Sequence, residues 1–187
     1  MICPSSFFKK NLKKEGVQMR KLIVVDGYNV IYKSSSLRKI LKKSPYQAQM
    51  ELVNLVLNYC SSRMMEAYVV FDAYHRPCSD TEETISSKLK VIFTGKGKTA
   101  DSYIEEFIFQ KKSFYDYIYV VTSDYSQGVT VMDKKVLPIS PKNFLEELTS
   151  HHEVLRERYL SSPESRVSLS DYLERETRKK LENLRGK

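Results

Sequence analysis

The chain alternates short, continuous apolar runs with stretches of helical spacing, and that alternation limits the folds open to it. The runs are "KLIVVD" at Lys21 to Asp26, "AYVVFD" at Ala67 to Asp72, "LKVIFT" at Leu89 to Thr94 and "YIYVVTSD" at Tyr117 to Asp124, with Val136 to Ser140 as a fifth. Apolar runs of this length suit strands covered on both faces. Between them, Pro45 to Met65 carries Met50, Val53, Leu57 and Met64 alongside Leu52, Val56 and Cys60 at helical spacing. Thr99 to Gln110 reads as a helix, with Thr99 as its N-cap and Ile104, Phe107 and Ile108 on its inner face. Pro141 opens a further helix running to about Leu160, because proline is tolerated in a first turn. Strands alternating with helices predict a parallel α/β sheet with right-handed crossovers.

At 187 residues the chain is long enough for one domain with a substantial core. Residues 19–160 form the expected domain. Residues 161–187 are a charged tail, helical from Ser170. Residues 1–18 are polar, lysine-rich and without periodicity, whereas Met19 begins a natural first strand. Lys14-Glu15-Gly16 can be encoded by AAG-GAG-GGN, which contains a bacterial ribosome-binding sequence. Met19 is therefore the expected start, with residues 1–18 the product of a start assigned upstream; the other reading of those lysines is a basic tail for RNA.

Composition narrows the function classes. Apolar residues make up 41% and charged residues 29%, which are globular values. The formal net charge of +8 favours an anionic partner, with nucleic acid first among them. The three cysteines, Cys3, Cys60 and Cys78, have no C-x-x-C spacing and argue against both a disulfide framework and a structural zinc site. The histidines His75, His151 and His152 form no H-E-x-x-H pattern. No apolar run approaches the ~20 residues that span a bilayer. The N-terminal lysines follow rather than precede the short apolar patch, the reverse of a secretory signal. The expected compartment is the cytoplasm, with no membrane partner.

Three of the runs end in aspartate: Asp26, Asp72 and Asp124. In an open parallel sheet, ligands bind beyond the carboxyl ends of the strands, near the point where strand order switches. Asp101 lies in the first turn of the helix after "TGKGKTA", and Glu105 shares its helical face. One acid at a strand end is ordinarily a turn or cap residue, and Asp101 alone is explained by the helix dipole. Four acids on one edge call for a cation, since crowded carboxylates repel. All-oxygen donor sets suit Mg²⁺ or Mn²⁺, which activate water and stabilise the leaving oxygen of a phosphodiester. Gly27 is expected to let the backbone turn sharply, Asn29 to orient a carboxylate or a water, and Lys96 and Lys98 to contact phosphate.

Competing motifs are absent. A haloacid-dehalogenase-type phosphatase needs a second aspartate two residues after the first, where Tyr28 stands. A dinucleotide fold needs G-x-G-x-x-G after the first strand, where only Gly27 is present, and there is no G-x-x-x-x-G-K-[ST].

The segments "VVDGYNVI", "VVFDAY", "VIFTGKGKTADSYIEE", "VVTSDYSQG" and "ISPKNFLEEL", in this order, resemble the YacP-like branch of the NYN domains, within the PIN-like nuclease fold. The resemblance runs from Lys21 to Leu148. It implies a Rossmann-like, three-layer α/β/α sandwich with a mostly parallel central sheet and, here, a C-terminal helical extension. It also implies a metal-dependent endoribonuclease that hydrolyses RNA, with mRNA as substrate and the ribosome as a partner. By motif, Asp26, Asn29, Asp101 and the segment Thr122-Ser123-Asp124 fall on the family's site positions, and Asp72 on its F-D-A segment. Asp26, Asp101 and Asp124 are the expected ligands of Mg²⁺ or Mn²⁺; Asn29, Ser123 and Asp72 would orient them or the water. Tyr28, Tyr74 and Tyr125 offer stacking surfaces for unpaired bases. Two other functions remain open: a non-catalytic RNA- or ribosome-binding module with the same fold, and a small-molecule phosphatase using the same metals.

Overall fold

The computed structural model describes residues 19–72, 79–123 and 134–161. Asp124, Tyr74, Tyr125, residues 1–18 and the tail from residue 162 lie outside the described residues. The chain divides into two compact units, Met1–Ser150 and His151–Lys187. The first holds the sheet.

The strands are β1 (Lys21–Asp26), β2 (Glu66–Phe71), β3 (Thr81–Ser86), β4 (Leu89–Phe93), β5 (Tyr117–Val121) and β6 (Val136–Ile139). The helices are α1 (Gly27–Lys33), α2 (Ser35–Leu41), α3 (Pro45–Arg63), α4 (Ala100–Lys111) and α5 (Pro141–Ser161). One six-stranded sheet has the order β3-β4-β2-β1-β5-β6. Every pairing is parallel except β3 with β4.

Alternation along each strand explains the unbroken apolar runs. Leu22 and Val24 face one side, with Tyr68, Val70, Ile118 and Val120, and meet Ile104, Phe107 and Ile108 of α4. Ile23 and Val25 face the other, with Val69, Phe71 and Val121, and meet Leu52, Val53 and Val56 of α3 and Phe144 of α5. A strand buried on both faces has no polar phase to show. The result is the expected three-layer α/β/α arrangement. No described helix is long and apolar enough to cross a membrane.

Caps set the helix starts. Thr99 Oγ1 accepts from Ser102 N at 3.2 Å, as expected for α4. Ser140 does the same for Asn143 N at 3.2 Å, ahead of Pro141 in the first turn of α5. Met64, expected on the inner face of α3, instead ends that helix in a left-handed conformation (φ 53°) and is 68% exposed.

Three elements were not expected. The edge strand β3, "TEETIS", is exposed almost throughout and pairs antiparallel with β4. It has no apolar phase, and its acids suit an edge that must not recruit another strand. Lys90 Nζ donates across the pair to Glu82 Oε1 at 2.6 Å. Helices α1 and α2 arise where Gly-Tyr-Asn and Ser34-Ser35-Ser36 read as turn residues. Asp26 and Ser34 instead cap helices, accepting from Asn29 N and Leu37 N.

A half-buried ion pair ties α3 to α5. Arg63 Nη2 donates to Glu147 Oε2 at 2.9 Å, and the Arg63 guanidinium lies over the Tyr59 ring at 4.6 Å. Glu147 is 8% exposed. Burial raises its carboxyl pKa above the ordinary 4.5, with Arg63 opposing part of the rise. A carboxyl with a raised folded-state pKa favours the fold while protonated. That contribution is complete below pH 4.5 and is lost as pH rises through the folded value. Relative to Glu147→Gln, the wild-type melting temperature should therefore climb as pH falls from about 7 towards 4.5. Thermal melts of both proteins across that range check this; a constant difference would mean that Glu147 titrates as it does in the unfolded chain.

Candidate active site

Asp26 is the last residue of β1 and the N-cap of α1, and is 6% exposed. Its backbone is extended (φ −71°, ψ 106°), so the chain passes directly from strand to helix. One residue holds both carboxylate oxygens: Asn29 N donates to Oδ1 at 3.0 Å, and Asn29 Nδ2 donates to Oδ2 at 2.9 Å. The same Nδ2 donates to Thr122 Oγ1 at 3.1 Å. An amide nitrogen has two hydrogens. Asn29 therefore orients the Asp26 carboxylate and fastens it to the end of β5.

Thr122 directly follows β5, which lies beside β1 on the side opposite β2. From β1 the chain goes first to β2 on one flank, and later to β5 on the other. The order switches at β1, so Asp26, Asn29 and Thr122 stand at the crevice where open α/β sheets bind ligands.

Gly27 supplies space there rather than a turn. Its φ is not positive, but a Cβ on it would lie 2.2 Å from Phe71 Cε1 and 2.5 Å from Cδ1. The Phe71 ring lies edge-on to Tyr28 at 5.5 Å and stacks on Phe93 at 5.7 Å.

The other expected site residues are more dispersed. Asp72 follows β2, and its Oδ1 accepts from Thr94 Oγ1 at 3.2 Å, joining the ends of β2 and β4. Asp101 is exposed in the first turn of α4. Ser123 is exposed beside Thr122, and Asp124 lies outside the described residues. In "TGKGKTA", Gly95 N donates to Asp80 Oδ1 at 2.7 Å, and Lys98 Nζ pairs with Glu106 Oε2 at 2.5 Å and Asp80 Oδ2 at 3.5 Å. Lys98 is thus held by acids of its own chain, while Lys96 is exposed. Asp26, Asp72 and Asp101 follow strands that end on one edge of the sheet. Among the described residues, however, no three His, Cys, Asp or Glu side chains form a group that could hold a metal. The donors at these positions are carboxylate oxygens, the type hard divalent cations take.

Two contacts had no advance signal. Thr122 is drawn to Asn29 across 93 residues of sequence, and Gln49 Nε2 of α3 donates to Tyr28 Oη at 3.0 Å. The T-S-D motif marks Thr122 itself but not its contact with Asn29. Nothing in the local sequence marks Gln49.

Comparison with known proteins agrees with this fold. The Bacillus subtilis (strain 168) protein YacP is 28% identical over 154 residues, which cover 80% of this chain and 90% of YacP. The crystal structure of Rae1 (YacP) from Bacillus subtilis superposes with a TM-score of 0.66 at 27% identity, covering 88% of this chain and 94% of that one. A single-residue variant of Rae1 (YacP) gives 0.61 at 27% identity, covering 74% and 80%. The model of the YacP-like NYN domain matches residues 23–186, beyond the last recognised motif at Leu148. Matched over that span, the chain belongs to the YacP-like NYN domain family.

Proposed function

We propose that the protein is a divalent-metal-dependent endoribonuclease that hydrolyses RNA phosphodiester bonds, with mRNA at the ribosome as its substrate. The observation that carries this is Asp26: a buried carboxylate at the switch crevice, both oxygens oriented by Asn29, which is itself fixed on Thr122. A carboxylate that served only as a helix cap would not need a side-chain amide shared with a strand 93 residues away. Asp26, Asp101 and Asp124 are the residues that would hold Mg²⁺ or Mn²⁺, whose chemistry when bound is to lower the pKa of water and offset charge on the leaving oxygen. Asn29 keeps the Asp26 oxygens in one orientation, so the acid need not reorganise as charge develops. Ser123 and Asp72 would orient these acids or the water. In-line attack by water leaves a 5′-phosphate and a 3′-hydroxyl. The net charge of +8 supports an RNA partner.

Purified protein, end-labelled RNA and Mn²⁺ or Mg²⁺ provide the test. Cleavage should depend on the ion, stop with EDTA and yield 5′-phosphate ends. Asp101→Asn should slow it by roughly 100-fold. Equal cleavage by the variant would identify a contaminant, and no cleavage with any divalent ion would remove the proposal. A generic phosphate monoester run in parallel separates a nuclease from a phosphatase.

A further inference from the structure

A run of positive charge without acids lies beside the site. From Gly27 to Met50 there are five Lys and Arg residues and no Asp or Glu, set against a whole-chain excess of eight. All five, Lys33, Arg38, Lys39, Lys42 and Lys43, are exposed, and none forms an ion pair among the described residues. Elsewhere Arg63, Lys90 and Lys98 each rest on a carboxylate. The segment from α1 to Lys43, just past α2, is thus a cationic surface that no ion pair among the described residues neutralises.

Two tyrosines share that segment. Tyr28 is two residues from Asp26 and fixed in place, its hydroxyl bound by Gln49 and its ring set against the edge of Phe71. Tyr32, one helical turn on, stacks on it with centroids 6.1 Å apart and planes at 29°. Tyr32 is nevertheless 58% exposed. An aromatic pair that starts at the buried acid and ends in solvent, amid uncompensated cations, combines the two elements that bind single strands: faces for bases and charge for phosphates. Duplex bases are already stacked on one another and would gain nothing from such rings.

We propose that α1 and α2 carry the single-stranded RNA substrate to the site, with a base stacked on Tyr32 and its flanking phosphates on the cations in and just after α2. This rests on the nuclease reading for the identity of the strand, but its test does not need cleavage. The affinity of a fluorescein-labelled single-stranded oligoribonucleotide is measured by anisotropy in EDTA. Tyr32→Ala should weaken binding roughly tenfold and Tyr32→Phe by less than about twofold, because stacking needs only the ring. Lys39→Ala/Lys42→Ala/Lys43→Ala should reduce the slope of log Kd against log salt by about 2. A duplex of the same sequence should compete poorly, as should polyglutamate. Circular dichroism and melting confirm that each variant is folded, as expected for exposed positions. Unchanged binding by folded Tyr32→Ala overturns the proposal, as does equal competition by duplex or polyglutamate. Failure of the nuclease reading would look different: no cleavage with any ion, whatever the binding data.

Discussion

Asp26→Asn should leave the fold standing and reduce RNA cleavage by roughly two to three orders of magnitude. The substitution separates the two roles of this residue. As an N-cap, asparagine performs about as well as aspartate, so the new side-chain oxygen can still accept from Asn29 N. The new amide group, however, faces Asn29 Nδ2, now donor to donor where a 2.9 Å hydrogen bond stood. Losing that bond costs about 1 kcal/mol, or roughly 2–4 °C in melting temperature for a chain of this size. The charge needed to hold a divalent cation is gone. Asp26→Ala makes the contrast, since it loses the cap as well and should melt lower still, by about a further 1 kcal/mol. Single-turnover cleavage and thermal melts on all three proteins decide the matter. Near wild-type cleavage by Asp26→Asn would reduce Asp26 to a cap and trace the cleavage to a contaminant, which leaves the non-catalytic binding module.

The acid at residue 26 was legible because the strand before it was. Leu22 to Val25 is an apolar run that can only be buried on both faces, and the same holds for the runs in β2, β4 and β5. The parallel sheet and its carboxyl edge follow from that spacing. β3 was hidden because an exposed edge strand carries no hydrophobic signal. α1 was hidden because Gly27 and Asn29 are poor helix formers, and the cap that starts the helix is the residue expected at the site. The tie from Asn29 to Thr122 depends on β1 and β5 lying side by side, a fact of strand order that periodicity does not contain. Convergence was anticipated more strongly than it is found: Asp72 engages Thr94, and Asp101 remains on the exposed first turn of α4. A shared edge places acids in one region; their separation along the edge depends on which strand each follows.

Gly27→Ala should destabilise the protein by about 1–3 kcal/mol, although helix propensity alone favours alanine over glycine by up to about 1 kcal/mol. The steric term wins because of what the new methyl meets. It would lie 2.2, 2.5 and 2.8 Å from three carbons of the Phe71 ring. That ring is fully buried, packed on Phe93 and edge-on to Tyr28, so it cannot swing aside as a surface side chain would. A melting temperature lower by roughly 3–10 °C is the expected reading. Phe71→Leu alone should cost about 1 kcal/mol or somewhat more, but in the Gly27→Ala background it removes the obstruction. The double variant should therefore be more stable than the sum of the two losses predicts, by roughly 1–2 kcal/mol. Strict additivity in denaturant melts would show that the methyl is accommodated elsewhere. Displacing Phe71 also disturbs the ring against which Tyr28 is set. Gly27→Ala should accordingly weaken single-strand RNA binding as well as the fold, and Phe71→Leu should not restore that binding fully, because Tyr28 loses its aromatic support.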